Sequence, residues 1–306
     1  MAKIIIHEVG MRDGLQAEKE VVPTEQKIKW INELALTGVD IIQAGSFVNP
    51  KRMPQMADTD DLFNYFSKPE NKLQNALLSG LVLNEKGLER GMACGVELFC
   101  MGVSASETHS QKNTGMPIAE ATERIIGMAK SALSAGKKVQ VSVQSAFGCG
   151  YEGKIPEDKV LSLVQKFLDN GLKNISLADT AGHALPDQVE RLFSAIQRMD
   201  QDAECVCHLH NTYGLGLTNA YAAYKAGVRN FESSFAGLGG CPFTAVAAGN
   251  IATEDLAHMF MKMDLCSNID IEKLRSISTE AAEYFKRELP GVIYKTGMIP
   301  EISKQQ

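Results

Sequence analysis

Gly171-Leu172-Lys173-Asn174-Ile175-Ser176-Leu177-Ala178-Asp179 is the stretch whose reading decides the fold. It follows a helical pattern in which Val160, Val164, Phe167 and Leu168 share a face, and a glycine able to take positive φ ends such a helix at low cost. The short apolar run after the glycine reads as a buried strand, and Asp179 stands at its end. The same punctuation recurs along the chain. Gly38 precedes Val39-Asp40-Ile41-Ile42-Gln43, Gly95 precedes Val96-Glu97-Leu98-Phe99, and Gly136 precedes the alternating Val139, Val141 and Val143. Gly227 likewise precedes Val228-Arg229-Asn230-Phe231. Lys3 to Val9, Ala76 to Leu83 and Glu204 to His208 supply three further strands. Thr24 is placed to cap a helix carrying Ile28, Ile31, Leu34 and Ala35, and Ile125, Met128, Ala129 and Ala132 mark the helix before Gly136.

Eight strands separated by helices, with no Pro/Ser/Gly-rich linker between them, predict a closed (β/α)8 barrel rather than an open doubly wound sheet. Residues 1–265 are read as that barrel. Helices near Thr253 to Asp264 and Asp270 to Glu288 follow the eighth strand, and residues 266–306 are read as a C-terminal helical extension and tail with no strong periodicity beyond Pro290. A length of 306 residues accommodates this arrangement. The formal charge of −6 argues against a nucleic-acid footprint, which needs a basic face. No apolar run is long enough to cross a membrane as a helix, and Met1 to His7 is too short for a signal peptide. Seven cysteines in such a chain are expected to be reduced thiols in the cytoplasm.

In a barrel of this kind chemistry sits at the C-terminal strand ends, and the unusual polar residues fall there. Arg12 and Asp13 follow the first strand, Gln43 and Ser46 the second, Gln144 and Ser145 the fifth, and Asp179 the sixth. His208 and His210 end the seventh, where residues two apart point to one face and present two imidazoles to one point. Gly237-Leu238-Gly239-Gly240-Cys241-Pro242 and Gly249-Asn250 follow the eighth. Singly, each has a plainer reading: an Arg–Asp surface pair, a helix cap at Asp179, a glycine hinge, loop histidines. Their convergence on one rim favours a site. Cys205 and Cys207 raise a zinc cluster as an alternative, but strand parity turns them away from His208.

These same segments carry a family resemblance. Glu8-Val9-Gly10-Met11-Arg12-Asp13-Gly14-Leu15-Gln16, Ser46-Phe47-Val48-Asn49-Pro50-Lys51, Ser104-Ala105-Ser106-Glu107, Lys112-Asn113 and Tyr151-Glu152-Gly153 resemble motifs of the 3-hydroxy-3-methylglutaryl-CoA lyases. So do Ser176-Leu177-Ala178-Asp179-Thr180, His208-Leu209-His210-Asn211-Thr212-Tyr213-Gly214, Gly237 to Pro242 and Gly249-Asn250. The resemblance runs in register over roughly residues 3 to 265 and implies a TIM barrel holding one divalent cation, Mg²⁺ or Mn²⁺, with Zn²⁺ or Co²⁺ as alternatives. Asp13, His208, His210 and Asn250 would be its ligands.

The implied reaction is a retro-aldol (Claisen-type) cleavage of a 3-hydroxyacyl-CoA thioester. Arg12 would face the thioester oxygen, Cys241 and His208 would handle protons, and Asp179 would order the site or shuttle a proton. Gln16, Gln43, Ser46, Lys112 and Asn113 would contact the acyl-CoA substrate, and a homodimer is expected. The departures are also specific. The lyases carry a glutamate where this chain has Gln43, an arginine and a tyrosine where it has Gln140 and Ser142, and a proline where it has Met11. A condensing enzyme of the isopropylmalate or citramalate synthase type, or a non-catalytic acyl-CoA-binding paralogue, are the alternatives.

Overall fold

The segment quoted first shows how the chain builds each unit. Helix α6 (Glu157–Asp169) buries Val160, Leu163, Val164 and Phe167, each worth about 1.5–3 kcal/mol when removed from water. It stops because Gly171 takes φ +76°, which lets Leu172 N–H bond back to the Phe167 carbonyl at 3.0 Å. That bond satisfies a carbonyl that the helix end leaves open. The chain then enters strand β6 (Asn174–Asp179), five of whose six side chains are buried.

The computed structural model describes residues 3–240, 249–266 and 268–300. Its other strands are β1 (Ile5–Glu8), β2 (Ile41–Ser46), β3 (Leu77–Leu81), β4 (Leu98–Ser104), β5 (Lys138–Gln144), β7 (Glu204–Leu209) and β8 (Asn230–Ser233). All eight are parallel and pair in chain order, and β8 closes on β1 with Ile5 opposite Asn230 and Glu8 opposite Ser233. The (β/α)8 barrel expected from the repeated punctuation is therefore the fold. The register between β2 and β3 shifts between Gln43 and Gly45.

The ring of helices comprises α1 (Thr24–Ala35), α2 (Thr59–Phe66), α3 (Glu85–Ala93), α4 (Glu107–Thr114), α5 (Ile118–Ser134), α7 (Pro186–Met199) and α8 (Gly216–Lys225), besides α6. The apolar core lies between this ring and the outward faces of the strands. Thr24 does not cap α1 as expected: its hydroxyl donates to Asp58 Oδ2 at 2.9 Å, and no side-chain bond closes that helix end. After β8 come α9 (Thr253–Lys262), α10 (Ile271–Tyr284) and a short α11 (Ile293–Thr296). α10 packs on α1, where Glu280 accepts from Trp30 Nε1 at 3.1 Å and Gln26 Nε2 at 2.9 Å. The segment beyond Pro290, too short for a helical period to show in α11, is tied down by backbone hydrogen bonds. Gly291 N donates to the Ala236 carbonyl at 2.9 Å, and Asp255 accepts from Val292 N and Ile293 N.

Candidate metal centre and active site

Four elements converge at the C-terminal rim. After β1 the chain makes a π-type turn at Gly10–Gly14, in which Asp13 N–H bonds the Val9 carbonyl at 2.7 Å. Such single π turns recur at functional sites, and this one aims Arg12 and Asp13 over the barrel mouth. β7 delivers His208, and His210 follows just beyond the strand on the same side. Asp13 Oδ2 lies 3.9 Å from His208 Nε2 and 3.7 Å from His210 Nε2. Among the described residues, Asp13, His208 and His210 form a group whose ligand atoms all fall within 4.8 Å of one another.

Asn250 reaches the group by a backbone route. The chain returning after β8 pairs with the end of β7, His210 opposite Asn250, with Asn211 N bonding the Gly249 carbonyl at 2.8 Å. The crossing is tight enough that a Cβ on Gly249 would sit 2.4 Å from the Gly239 carbonyl carbon, so only glycine fits there. Asn250 Nδ2 then donates to Asp13 Oδ2 at 2.8 Å and to the Leu238 carbonyl at 3.2 Å. Its buried Oδ1 has no hydrogen-bond partner among the described residues. An orphaned amide oxygen beside a carboxylate and two imidazoles is a donor set that fits a divalent cation of hard to borderline character.

The electrostatics agree. Burial opposes charge on Asp13, but the Arg12 guanidinium, a hydrogen bond from His210 and both imidazoles outweigh it and hold the carboxyl well below the usual range. Arg12 also donates through Nε to Gln43 Oε1 and through a terminal nitrogen to Asp13 Oδ1, which fixes the plane of the guanidinium. Gln16 Nε2 donates to Asp13 Oδ1 at 3.2 Å. Asp179 is buried and accepts from His183 N at 2.8 Å and Ala184 N at 3.2 Å, so it shapes the loop before α7 rather than capping that helix.

The remaining expected residues are spread more widely. The Ser46 backbone is tied to Thr59 of α2, its N–H donating to Oγ1 at 3.2 Å, and its own hydroxyl is buried. Lys112 and Asn113 are exposed on α4, Lys112 Nζ standing 3.9 Å over the Tyr151 ring and Asn113 Nδ2 3.5 Å from Gln144 Oε1. Cys241 lies outside the described residues. Cys205 faces the helix layer, where Gln197 Nε2 of α7 meets its sulfur at 3.3 Å, and the buried Cys207 thiol is pushed well above its usual range by desolvation. Strand parity was therefore right to separate both cysteines from the histidines.

Below the rim lies a buried polar layer of which the sequence reading singled out Gln140 alone. Glu232 of β8, His7 of β1, Ser79 of β3 and Gln140 of β5 all point into the barrel. Parity along the short β8 was the available signal, since Phe231, outward against Phe260 of α9, leaves Glu232 on the inward face.

A closed eight-stranded parallel barrel with Asp13, His208 and His210 gathered as a possible metal site on its C-terminal rim has the form of a barrel enzyme. Residues 3–280 match the HMGL-like family, and the chain belongs to it. The family is divalent-metal dependent, and the chain is a carbon–carbon lyase. It is 36% identical over 288 residues to the hydroxymethylglutaryl-CoA lyase YngG of Bacillus subtilis strain 168, covering 94% of this chain and 95% of that protein. It is also 34% identical over 307 residues to an (R)-citramalyl-CoA lyase of Chloroflexus aurantiacus, covering 98% and 96% respectively. The solved structure of an HMG-CoA lyase from A. baumannii in complex with coenzyme A and 3-methylmalate superposes with a TM-score of 0.90 at 36% identity, over 98% of this chain and 97% of that one.

Proposed function

We propose that this protein is a divalent-metal-dependent acyl-CoA lyase that breaks the C2–C3 bond of a 3-hydroxy-3-methylglutaryl-CoA-like thioester, releasing acetyl-CoA and a keto acid. The observation that carries the reading is the meeting of Asp13, His208, His210 and an Asn250 Oδ1 without a hydrogen-bond partner among the described residues, beside the fixed guanidinium of Arg12. Those four residues would hold Mg²⁺ or Mn²⁺. When bound, the cation acts as a Lewis acid that makes the substrate's tertiary hydroxyl easier to deprotonate.

The chain's own groups do the rest. Arg12, immobilised by Gln43 and Asp13, offers N–H donors to the thioester oxygen, where charge builds up as the carbon–carbon bond breaks. Cys241, in the glycine-rich sequence that follows β8, exchanges a proton at the carbon of the departing acetyl group, while His208, whose Nδ1 faces Glu232 and whose Nε2 faces Asp13, serves as a ligand. Asp179 keeps the loop after β6 closed around the site through its two backbone bonds. Gln16 steadies Asp13, Gln43 and Ser46 border the acyl group, and Lys112 and Asn113, exposed on α4, lie toward the coenzyme A.

The two kinds of relative sharpen the substrate class. The methylglutaryl and citramalyl chains share a tertiary 3-hydroxyl, a 3-methyl and a distal carboxylate, and differ by one methylene before that carboxylate. Gln43, Gln140 and Ser142 lie where the sequence departs from the lyases it resembles, so the acyl end of the pocket is where the choice is made. Residues 1–265 form the catalytic barrel in this reading, and 266–306 an extension that braces it, supported by Ser278 Oγ accepting from Ala236 N at 3.0 Å. The protein works as a cytoplasmic homodimer, a compartment supported by six buried free cysteines among the described residues.

A panel of 3-hydroxyacyl-CoA esters, assayed for acetyl-CoA release with Mg²⁺, with Mn²⁺ and with chelator, tests the proposal. Metal-dependent cleavage of at least one branched ester is the expected result. No metal-dependent turnover across the panel would overturn it.

A further inference from the structure

We infer that Glu232 is a positioning residue whose carboxylate, one layer below the rim, fixes the orientation and tautomer of His208 and so sets how its Nε2 meets the divalent cation. The inference rests on the proposed reading of His208 as a ligand. Glu232 stands opposite His208 in the β7–β8 register, and its Oε2 lies 2.8 Å from His208 Nδ1. A carboxylate only accepts hydrogen bonds, so the Nδ1 atom must carry the proton. In the neutral ring, the form that binds a metal, the Nε2 lone pair is then left bare, and Nε2 is the atom that faces Asp13 Oδ2 at 3.9 Å. Metal-binding imidazoles are commonly oriented by a carboxylate on their second nitrogen in this way.

What distinguishes Glu232 from an incidental buried acid is how it is itself held. Oε1 accepts from Gln140 Nε2 of β5 and lies 3.4 Å from His7 Nδ1 of β1. His7 Nε2 in turn meets Ser79 Oγ of β3 at 2.8 Å. Side chains from three other strands, β1, β5 and β7, thus reach one carboxylate, with Ser79 of β3 behind His7, in a position that barrels normally fill with Val, Ile or Leu. Burying an ion there costs several kcal/mol before its partners compensate, and an apolar side chain would serve packing as well or better. Gln140 matters to the arrangement because it donates a hydrogen bond without bringing a charge. An arginine in its place would form a bidentate pair with Glu232 and compete with His208 for the same oxygens. The network is therefore built to present its negative charge to the imidazole beneath the metal centre.

The test measures binding apart from catalysis. Mn²⁺ affinity is determined by titration calorimetry on metal-free wild type and Glu232→Gln, with unfolding temperatures of the metal-free proteins as the control for folding. The amide keeps the shape but can face His208 with its NH₂ group and favour the other tautomer. Glu232→Gln should bind Mn²⁺ about 10- to 100-fold more weakly, with an unfolding temperature close to wild type. Its kcat should fall while KM for the acyl-CoA ester stays near the wild-type value. Nitrogen-15 NMR of the imidazoles in metal-free wild type, with His208 assigned by its loss in His208→Gln, should show Nδ1 protonated and Nε2 bare. Wild-type Mn²⁺ affinity in a folded Glu232→Gln, or a proton on Nε2 in the wild-type spectrum, would overturn the inference. The NMR result decides alone if the variant does not fold. A wild type that binds no divalent ion would instead overturn the metal-centre reading, which separates the two failures.

Discussion

Two glutamates on adjacent strands, both buried, meet opposite electrostatic fates. Glu232 on β8 points into the barrel, where burial opposes its charge but the hydrogen bond from His208 and the neighbouring His7 imidazole prevail, holding the carboxyl well below its usual range. Glu8 on β1 lies against the loop after β8. Burial there pushes it up to about 7, although Thr253, Gly10 N and Phe235 N all donate to it. Glu254 on α9 joins Glu8 on this side and is pushed up to about 8, by burial first and then by Asp255 and Glu8. Neutral donors alone do not keep a buried carboxylate charged, whereas imidazoles do. The barrel mouth thus has a charged side, built on β7 and the inward face of β8, and a near-neutral brace that carries the glycine-rich loop.

The largest effect should come from breaking the charged side. His210→Ala removes one of two imidazoles facing Asp13, and cleavage should fall on the order of 10³-fold or more, since Lewis-acid activation is worth several kcal/mol. Metal content after dialysis should fall with it, and the metal-free unfolding temperature should stay near wild type. Unchanged metal content in the variant would remove His210 from the ligand set. The braced side is probed through the loop it carries. Cys241→Ser should lower the rate on the order of 10² to 10⁴, the usual contribution of a general acid or base, with little change in stability. Full activity in that variant would assign the proton transfer to another group.

The same contrast shows what the sequence could reveal. Helix faces and the glycines after them mark the strands, because both are local features: Gly171 stands two residues beyond the end of α6 and lets Leu172 N bond back to the Phe167 carbonyl. Asp13, His208 and His210 stand at strand ends, so eight counted strands are enough to bring them to one rim. Asn250 is different. Its position depends on a backbone pairing with His210 across forty residues of chain, and its role as a ligand came only from the resemblance. Glu232 and His7 were overlooked because a charged residue on a four-residue strand gives little periodicity to read. The Glu8–Glu254 brace and the bonds from Gly291, Val292 and Ile293 had no local signature at all.

The brace makes a pH prediction whose direction is opposite to that of an ordinary buried ion pair. An unfolded glutamate loses its proton near pH 4.5, but folded Glu254 keeps it up to about 8. The stability it contributes is therefore complete below pH 4.5 and is lost progressively as pH rises through 8. Asp13 and Glu232, whose folded pKa values are lowered, act in reverse and lose their contribution as pH falls toward and below the ordinary carboxylate range. Glu254→Gln removes only the first of these trends. Between pH 6 and pH 9, urea unfolding should show wild type losing about 2–3 kcal/mol more than the variant. Parallel curves would mean that Glu254 is already ionised at pH 6, and the distinction between the two sides would collapse.

The smallest effect, and the finest test of the contrast, lies at Gln43. This buried amide accepts from Arg12 Nε on the charged side of the mouth, yet it carries no charge and cannot take a proton as a base. The 3-hydroxy-3-methylglutaryl-CoA lyases that the sequence resembles have a glutamate there. Cys100 is close by, its thiol pushed up to about 12 by burial and then by Glu232, so it offers no substitute base at neutral pH. Gln43→Glu restores a carboxylate that can accept the hydroxyl proton, while placing a second anion beside Asp13. For 3-hydroxy-3-methylglutaryl-CoA the gain in base strength should prevail, raising kcat/KM on the order of tenfold, below the 10² to 10⁴ of a fully tuned base. For an ester whose carboxylate sits one methylene closer to the reacting carbon, the added charge should repel the substrate, and kcat/KM should fall. The informative quantity is the ratio of the two. If wild type already cleaves the methylglutaryl ester at ordinary enzymatic rates and the glutamate leaves that ratio unchanged, Gln43 does not select the substrate, and another group near the rim supplies the base.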